Sequence, residues 1–419
     1  MHLSRSRARS TVVSRSAISP IGGIMEVVVF DLVSYDRHVD DLVVDGELPW
    51  PLPKRHFDPG VAVRTYAEHL AAWEELDRLG FDGVGFNEHH TSPYGLMNSP
   101  NLLAAAATQR TERLKLHIYA NLLPLHDPLR LAEELAMLDC MSGGRIVAGF
   151  ARGIPREHTV YGVPMTESRA RFEEAFEIIR ALWTEEVASY EGKFWSYENV
   201  AIWPRPVQRP HPPLWVPVTS SKETIEWAGR NAIAITPGMG HPGLRDDVLR
   251  YYAQCLNAAG HELTPDLVHL NMNAYVAADK AQAVREAGPY LLYFNRTLFS
   301  HGNETEAGAQ RKTGYISASS LDYVRPENLS AAQRAKADYR KQTMADIERE
   351  AENWAWGSPE EVRDRILDAA RRSGAGRVLV NLNRGAMPQE MFLEQIRRFA
   401  RDVLPALREH TPAVPPSPR

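Results

Sequence analysis

Two cysteines in 419 residues, Cys140 and Cys255, are too few for a disulfide framework or a thiolate zinc site. Positive charge is not in excess either. Lys and Arg number 48 against 53 Asp and Glu, a formal net charge of -5, which speaks against a nucleic-acid partner. No apolar run is long enough to span a bilayer, so no membrane partner is expected. No Gly-rich strand–GxGxxG–helix fingerprint occurs, and tightly bound NAD(P)H is therefore not indicated as the reductant. Repeats of solenoid length are missing too. What remains is an ordinary globular composition, 44% hydrophobic and 24% charged, with ample material for a large core. A reducing cytoplasm is the natural compartment for such a chain.

The first residues differ in kind. Met1 to Ile24 carries Arg5, Arg7, Arg9 and Arg15, many serines and no acidic residue. It lacks the apolar core of a secretory signal, although its composition also suits a transit peptide. Ser19-Pro20-Ile21-Gly22-Gly23 reads as a flexible linker, so residues 1–24 are expected to be a disordered leader ahead of Met25. Residues 411–419 are expected to form a disordered tail.

From Met25 onward, β-branched runs alternate with amphipathic helices. Strands are expected at 27–32, 82–86, 114–120, 145–150, 214–218, 232–236, 268–277 and 377–382. Helix 61–79 places Tyr66, Leu70, Trp73 and Leu76 on one face and stops at Gly80. Helix 169–183 has an apolar stripe of Phe172, Phe176, Ile179 and Trp183, a core face. Ser358-Pro359-Glu360-Glu361 carries the cap and first-turn proline of another helix. Eight strands each followed by a helix predict an α/β fold, a closed (β/α)8 TIM barrel over residues 25–410. Three segments break the alternation: a Pro-rich loop at 43–58, a hairpin and proline-rich connection at 189–213, and a polar insertion at about 297–350. Insertions of that length at a barrel mouth are typically lids or interaction elements.

Chemistry in such a barrel sits at the C-terminal strand tips. The second strand ends in Asn87-Glu88-His89-His90, where a carboxylate and imidazoles can move protons near neutral pH; the plainer alternative is loop hydrogen bonding. The fourth strand ends in Ala151-Arg152-Gly153 and the fifth in Thr219-Ser220-Ser221, just before a helix whose free N–H groups favour an anion. Arg152 and Arg169 add fixed positive charge suited to phosphate, and Gly153 permits close backbone approach. Helix capping is the commoner use of such serines. No metal is expected. His89 and His90 diverge on a strand, and adding His126, Asp127 or His241 matches no metal-ligand spacing.

In order and spacing these pieces resemble the bacterial luciferase-like, flavin-dependent monooxygenases. The similarity is carried by Gly80-Phe81-Asp82 leading into Glu88-His89-His90, Leu123-Pro124 with His126-Asp127-Pro128, and Leu138-Asp139 running into Ser142-Gly143-Gly144-Arg145. Gly149 to Gly153, Ser168-Arg169, Glu226-Trp227-Ala228 and Gly357-Ser358-Pro359-Glu360-Glu361 complete it. The resemblance implies reduced FMN, supplied by a separate flavin reductase, reacting with O2 to a flavin C4a-peroxide that oxygenates a small organic substrate. It also implies a homodimer. His89 would assist the flavin–oxygen chemistry beside Glu88. Arg152, Arg169, Ser220, Ser221 and Thr224 would hold the phosphate, with Ala151, Gly153 and Thr219 around them. A non-proline cis peptide beneath the flavin would fall at Tyr119–Ala120, next to Asn121. Ala151, Thr219 and Asn121 each depart from the residues of bacterial luciferase, so a long-chain aldehyde substrate is not implied. On this barrel the mouth would be lined by Tyr35, Trp50, His56, Tyr94 and Met97. The nearest rival on the same scaffold uses the deazaflavin F420; a non-catalytic flavin-binding subunit is the rival of another class.

Overall fold

Apolar residues at consecutive rather than alternating positions mark strands buried on both faces. Glu26–Phe30 (β1), Gly83–Phe86 (β2), Lys115–Leu122 (β3), Ile146–Ala151 (β4), Leu214–Val218 (β5), Ala234–Pro237 (β6), His269–Val276 (β7) and Arg377–Asn381 (β8) are of this kind. All pair in parallel, in the order β7-β8-β1-β2-β3-β4-β5-β6. A parallel bridge between Ile235 and Val268 joins β6 to the entrance of β7, so the sheet curls on itself into the expected α/β barrel. This computed structural model describes residues 23–44, 48–219, 221–238, 242–301, 317, 319–335 and 339–414. Nearly all of the expected leader, the last five residues of the expected tail, Ser220 and His241 lie outside the described residues.

Helix starts follow from capping chemistry. Helix α1 (Pro59–Leu79) opens with Asp58 accepting from the Gly60 N–H and a proline in the first turn, and Gly80 stops it at φ 87°. Helices α2 (Pro100–Thr108) and α3 (Pro128–Ser142) repeat the device with Ser99 and Asp127 as caps. After β4 come a short helix α4 (Pro155–Tyr161) and a long one, α5 (Ser168–Thr184). Helices α6 (Lys222–Arg230) and α7 (Pro242–Ala258) follow β5 and β6. The Ala188–Glu191 and Ser196–Val200 strands form the hairpin expected near Tyr190. Among the described residues no helix is long and apolar enough to cross a membrane.

Two features depart from the sequence reading. β7 is followed at once by a helix, α8 (Lys280–Tyr293), which carries Pro289 in its interior and continues through a π-helical turn, Phe294–Phe299. The proline hides that helix from a periodicity search. A three-residue strand, Ala355–Gly357, pairs in parallel with the outer edge of β7 before the helix Pro359–Ser373 begins. Close packing of the barrel wall depends on Gly149: a Cβ there would lie 2.2 Å from the Ile118 carbonyl oxygen. The β3–β4 register slips between Ile118 and Asn121, across the tip that the site uses.

Candidate active site

The tip of β2 carries Glu88 and the two histidines, and the structure divides their work. Glu88 is buried. Its carboxylate accepts from the Leu122 N–H at 3.1 Å and the Asn121 amide at 3.4 Å, and it meets His90 Nε2 at 3.0 Å and His126 Nε2 at 2.8 and 2.9 Å. Burial alone would raise its pKa, but the bonds to His126 and His90 overcome that and hold it at about 2. His126 is correspondingly raised, because Glu88 outweighs the burial that would lower it. With four partners Glu88 has little left for a reacting group. It locks the β2 tip to the β3 tip, and among the described residues none of its bonds goes to the His89 side chain. His90 is fixed the same way, with Nδ1 3.1 Å from the Tyr161 hydroxyl.

His89 faces the other direction. Its Nδ1 lies 2.9 Å from Oε1 of Glu157, which is fully buried on α4. The other Glu157 oxygen accepts from the Ile154 N–H at 2.8 Å, so the carboxylate is anchored at the start of its own helix. A carboxylate accepting at Nδ1 fixes the ring orientation and leaves Nε2 without a protein partner among the described residues. Sequence reasoning missed Glu157. The available signal was Pro155-Arg156-Glu157, an acid at the third position of a proline-started helix. Met97 closes the back of this tip: its Sδ lies 3.1 Å from the Asn87 N–H and its carbonyl accepts from the His89 N–H.

On β3 the Tyr119–Ala120 peptide is cis. The Tyr119 ring is half-buried, 3.7 Å from Trp215 and 4.9 Å from Phe30 between ring centroids. Asn121, next along, donates to Glu88 and to Asn101 Oδ1, while its own Oδ1 is buried without a partner among the described residues. On the neighbouring β4 side, Arg152 donates to Ser168 Oγ at 3.3 Å, and Arg169 donates to Thr224 Oγ1 at 2.6 Å and Ser221 Oγ at 3.4 Å. Gly153 takes φ 80°, and a Cβ there would press on Glu157 and Leu122. Ser221 does not cap α6; its hydroxyl donates to Glu223 at 2.9 Å. Thr219 is exposed at the end of β5, and Ala151 is half-buried at the end of β4. Among the described residues no three His, Cys, Asp or Glu side chains are grouped to hold a metal ion.

A family model described as luciferase-like monooxygenase matches residues 48–377. The chain belongs to that family. It is 29% identical over 189 residues to the oxygenase component of a flavin-dependent trigonelline monooxygenase from Acinetobacter baylyi, covering 44% of this chain and 52% of that relative. The chain spans about half the length of the curated relatives it matches in this way. Monooxygenase RslO1 from Streptomyces bottropensis shares 28% identity and a TM-score of 0.65 over 91% of this chain and 99% of that one. The oxygenating constituent of 3,6-diketocamphane monooxygenase from Pseudomonas putida, in complex with FMN, gives a TM-score of 0.67 at 18% identity over 91% and 98%. That last likeness is one of fold.

In this luciferase-like barrel the expected mouth residues separate. Tyr94 stands edge-on to His89, with ring centroids 4.6 Å apart, and Trp50 stands edge-on to His301 at 5.0 Å. Tyr35 is buried and its hydroxyl accepts the Asp58 N–H at 2.8 Å, so it pins the Pro-rich loop instead of lining a pocket. Met97 is fully buried beneath the histidine tip, and His56 sits in a one-turn helix, Lys54–His56, without a ring hydrogen bond among the described residues. A residue the sequence did not single out, His301, ties the mouth together. Its Nδ1 lies 2.8 Å from Ser92 Oγ, its Nε2 3.0 Å from the Pro49 carbonyl, and its own carbonyl accepts from Arg156. Burial pushes its pKa down to about 4, so the ring is neutral.

Proposed function

We propose that the chain is a flavin-dependent monooxygenase that takes reduced FMN from a separate reductase and uses it with O2 to oxygenate a small organic substrate. The observation that carries this reading is the buried, unpartnered Oδ1 of Asn121 on the β3 tip, which in the sheet lies between the β2 tip that carries His89 and the β4 tip that leads to Arg152. A buried acceptor left open in a strand tip is costly unless a ligand satisfies it. A ring N–H of a flavin fits that need, and the Arg152, Arg169 and Thr224 group fits a phosphate.

Reduced flavin, when bound, supplies the electrons that activate O2. The chain's own residues do the remaining work. Arg152, Arg169 and Thr224 hold the phosphate charge, and Asn121 fixes the orientation of the ring system. His89, held at Nδ1 by Glu157, presents Nε2 to take or return a proton where oxygen is activated. Tyr94 and Trp50 cover the mouth and exclude water.

Anaerobic titration with reduced FMN and, separately, reduced F420 tests the cofactor. Saturable binding of FMN is expected, followed by a transient absorbance change on mixing with aerated buffer. Binding of F420 alone would refute the proposal in favour of a deazaflavin oxidoreductase. Unchanged turnover in His89→Ala, once a substrate is known, would remove His89 from the chemistry.

A further inference from the structure

Arg156 is the charge in the mouth that the cofactor does not explain. It sits on α4 directly before Glu157, is 4% exposed, and donates from Nη1 to the His301 carbonyl. Among the described residues its Nε and Nη2 have no hydrogen-bond partner. The adjacent Glu157 does not serve it, because that carboxylate is held by His89 and the Ile154 N–H. A buried guanidinium with idle donors is costly, and such a cost is sustained where a ligand supplies the missing acceptors. Burial accordingly pushes Arg156 downward, only partly offset by Glu157.

Its position separates it from the phosphate cluster. The guanidinium carbon lies 5.3 Å from the Tyr94 ring centroid, and that ring stands edge-on to His89. A second buried guanidinium, Arg384 in the loop after β8, lies 4.9 Å from the Phe294 centroid, and Phe294 is 5.4 Å from Tyr94. Two buried cations therefore flank the Tyr94–Phe294 pair, an aromatic wall, with Arg156 one ring away from His89 and Arg384 two. The wall suits a planar apolar body, and the Nε–Nη2 edge of a guanidinium suits the two oxygens of a carboxylate.

We propose that the substrate handled at His89 is an aromatic compound bearing a carboxylate, and that the carboxylate docks on the Nε and Nη2 edge of Arg156. This inference rests on the monooxygenase reading for its reaction, though not for its binding. Arg384 adds positive potential on the far side of the same wall, and the neutral His301 ring keeps the Arg156 side chain in place through its backbone carbonyl.

The test uses the full chain, with and without FMN, and calorimetric titration of benzoate and phenylacetate against benzamide and phenylacetamide. At least one carboxylate is expected to bind about tenfold or more tightly than its amide. Arg156→Met is expected to erase that preference while leaving amide and FMN affinities unchanged, and Arg156→Lys to retain part of it. If the methionine variant does not fold, the wild-type comparison and the lysine variant still decide the matter. No carboxylate preferred over its amide in the wild-type chain overturns the proposal. So does an FMN affinity that falls in Arg156→Met while the carboxylate preference persists. A chain that fails to bind FMN yet selects carboxylates through Arg156 refutes the flavin reading and leaves this one standing; binding of FMN with acid and amide treated alike does the reverse.

Discussion

At the scale of single residues, what distinguishes His89 from its neighbour is the partner of each ring nitrogen. His90 is bonded to protein at both nitrogens, by Glu88 and Tyr161, whereas His89 is bonded at Nδ1 alone among the described residues. Glu157 is thus a positioning residue whose role is separable from bulk stability. Glu157→Gln keeps the shape and can keep the Ile154 N–H bond through its carbonyl. Its amide N–H2 then faces His89 Nδ1, which must become the acceptor and send the proton to Nε2. The expected result is a folded protein with turnover reduced on the order of 10²-fold or more, the scale of a lost general acid–base contribution. The ring-nitrogen NMR shifts of His89 should report the opposite tautomer. Wild-type turnover in that variant, or an unmoved tautomer, would show that Glu157 does not set the ring.

At the scale of elements, the barrel strands were legible because each is an apolar, β-branched run bounded by turn residues, and β1 through β8 lie within a few positions of where the pattern put them. The parts that shape the mouth were not. α4 is seven residues of mostly polar sequence, α8 is interrupted by Pro289, and the strand Ala355–Gly357 is too short for any period to register. Glu157, Arg156 and His301 take their meaning from long-range contacts, and no local pattern announces a bond between residues 145 positions apart. The insertion after β7 is stitched to the loop after β1: Tyr293 accepts the Val39 N–H, Thr297 donates to Asp40, and His301 meets Pro49. Its later part docks on α7, where Asp247 accepts from Arg325 at 2.7 Å and Asn328 at 2.7 Å. This fastening is pH-sensitive in a definite direction. His301 is lowered from 6.5 to about 4 by burial, so its neutral ring contributes stability that is present above pH 6.5 and lost as pH falls toward 4. Hydrogen exchange of residues 48–50 and 294–301 should therefore accelerate between pH 7 and pH 5, after correction for intrinsic rates, while the barrel strands stay protected. A uniform change across all elements would mean that the ring is not the fastening.

At the scale of the whole molecule, the two ends of the barrel divide stability from chemistry. The mouth holds Asn121 and Arg156 atoms without partners, and the opposite end is closed by an ionic cluster in which, among the described residues, only His117 Nε2 lacks one. There Glu26 of β1 accepts from Arg377 Nε of β8 at 2.7 Å and from Lys115 of β3 at 2.5 Å, and Arg377 Nη1 lies 2.6 Å from His269 Nε2 of β7. These contacts join the first strand to the last, so they act on closure of the whole sheet. Burial would raise the Glu26 pKa, but Arg377 and Lys115 outweigh it and hold the carboxyl at about 2. A folded pKa below the unfolded value gives stability that is fully present above pH 4.5 and is lost as pH falls toward 2. For a shift of this size that contribution is on the order of 3 kcal/mol. His117 and His269, pushed well below 6.5 by burial, add a separate loss that begins nearer pH 6.5. Glu26→Gln should therefore lower the urea midpoint at pH 7, because Arg377 is left buried without its charge partner, at a cost of about 3–5 kcal/mol. It should also flatten the midpoint-versus-pH curve below pH 4.5 while leaving the slope between pH 6.5 and 4.5 intact. Parallel curves for the variant and the wild type through pH 3 would show that closure of the barrel does not rest on this carboxylate.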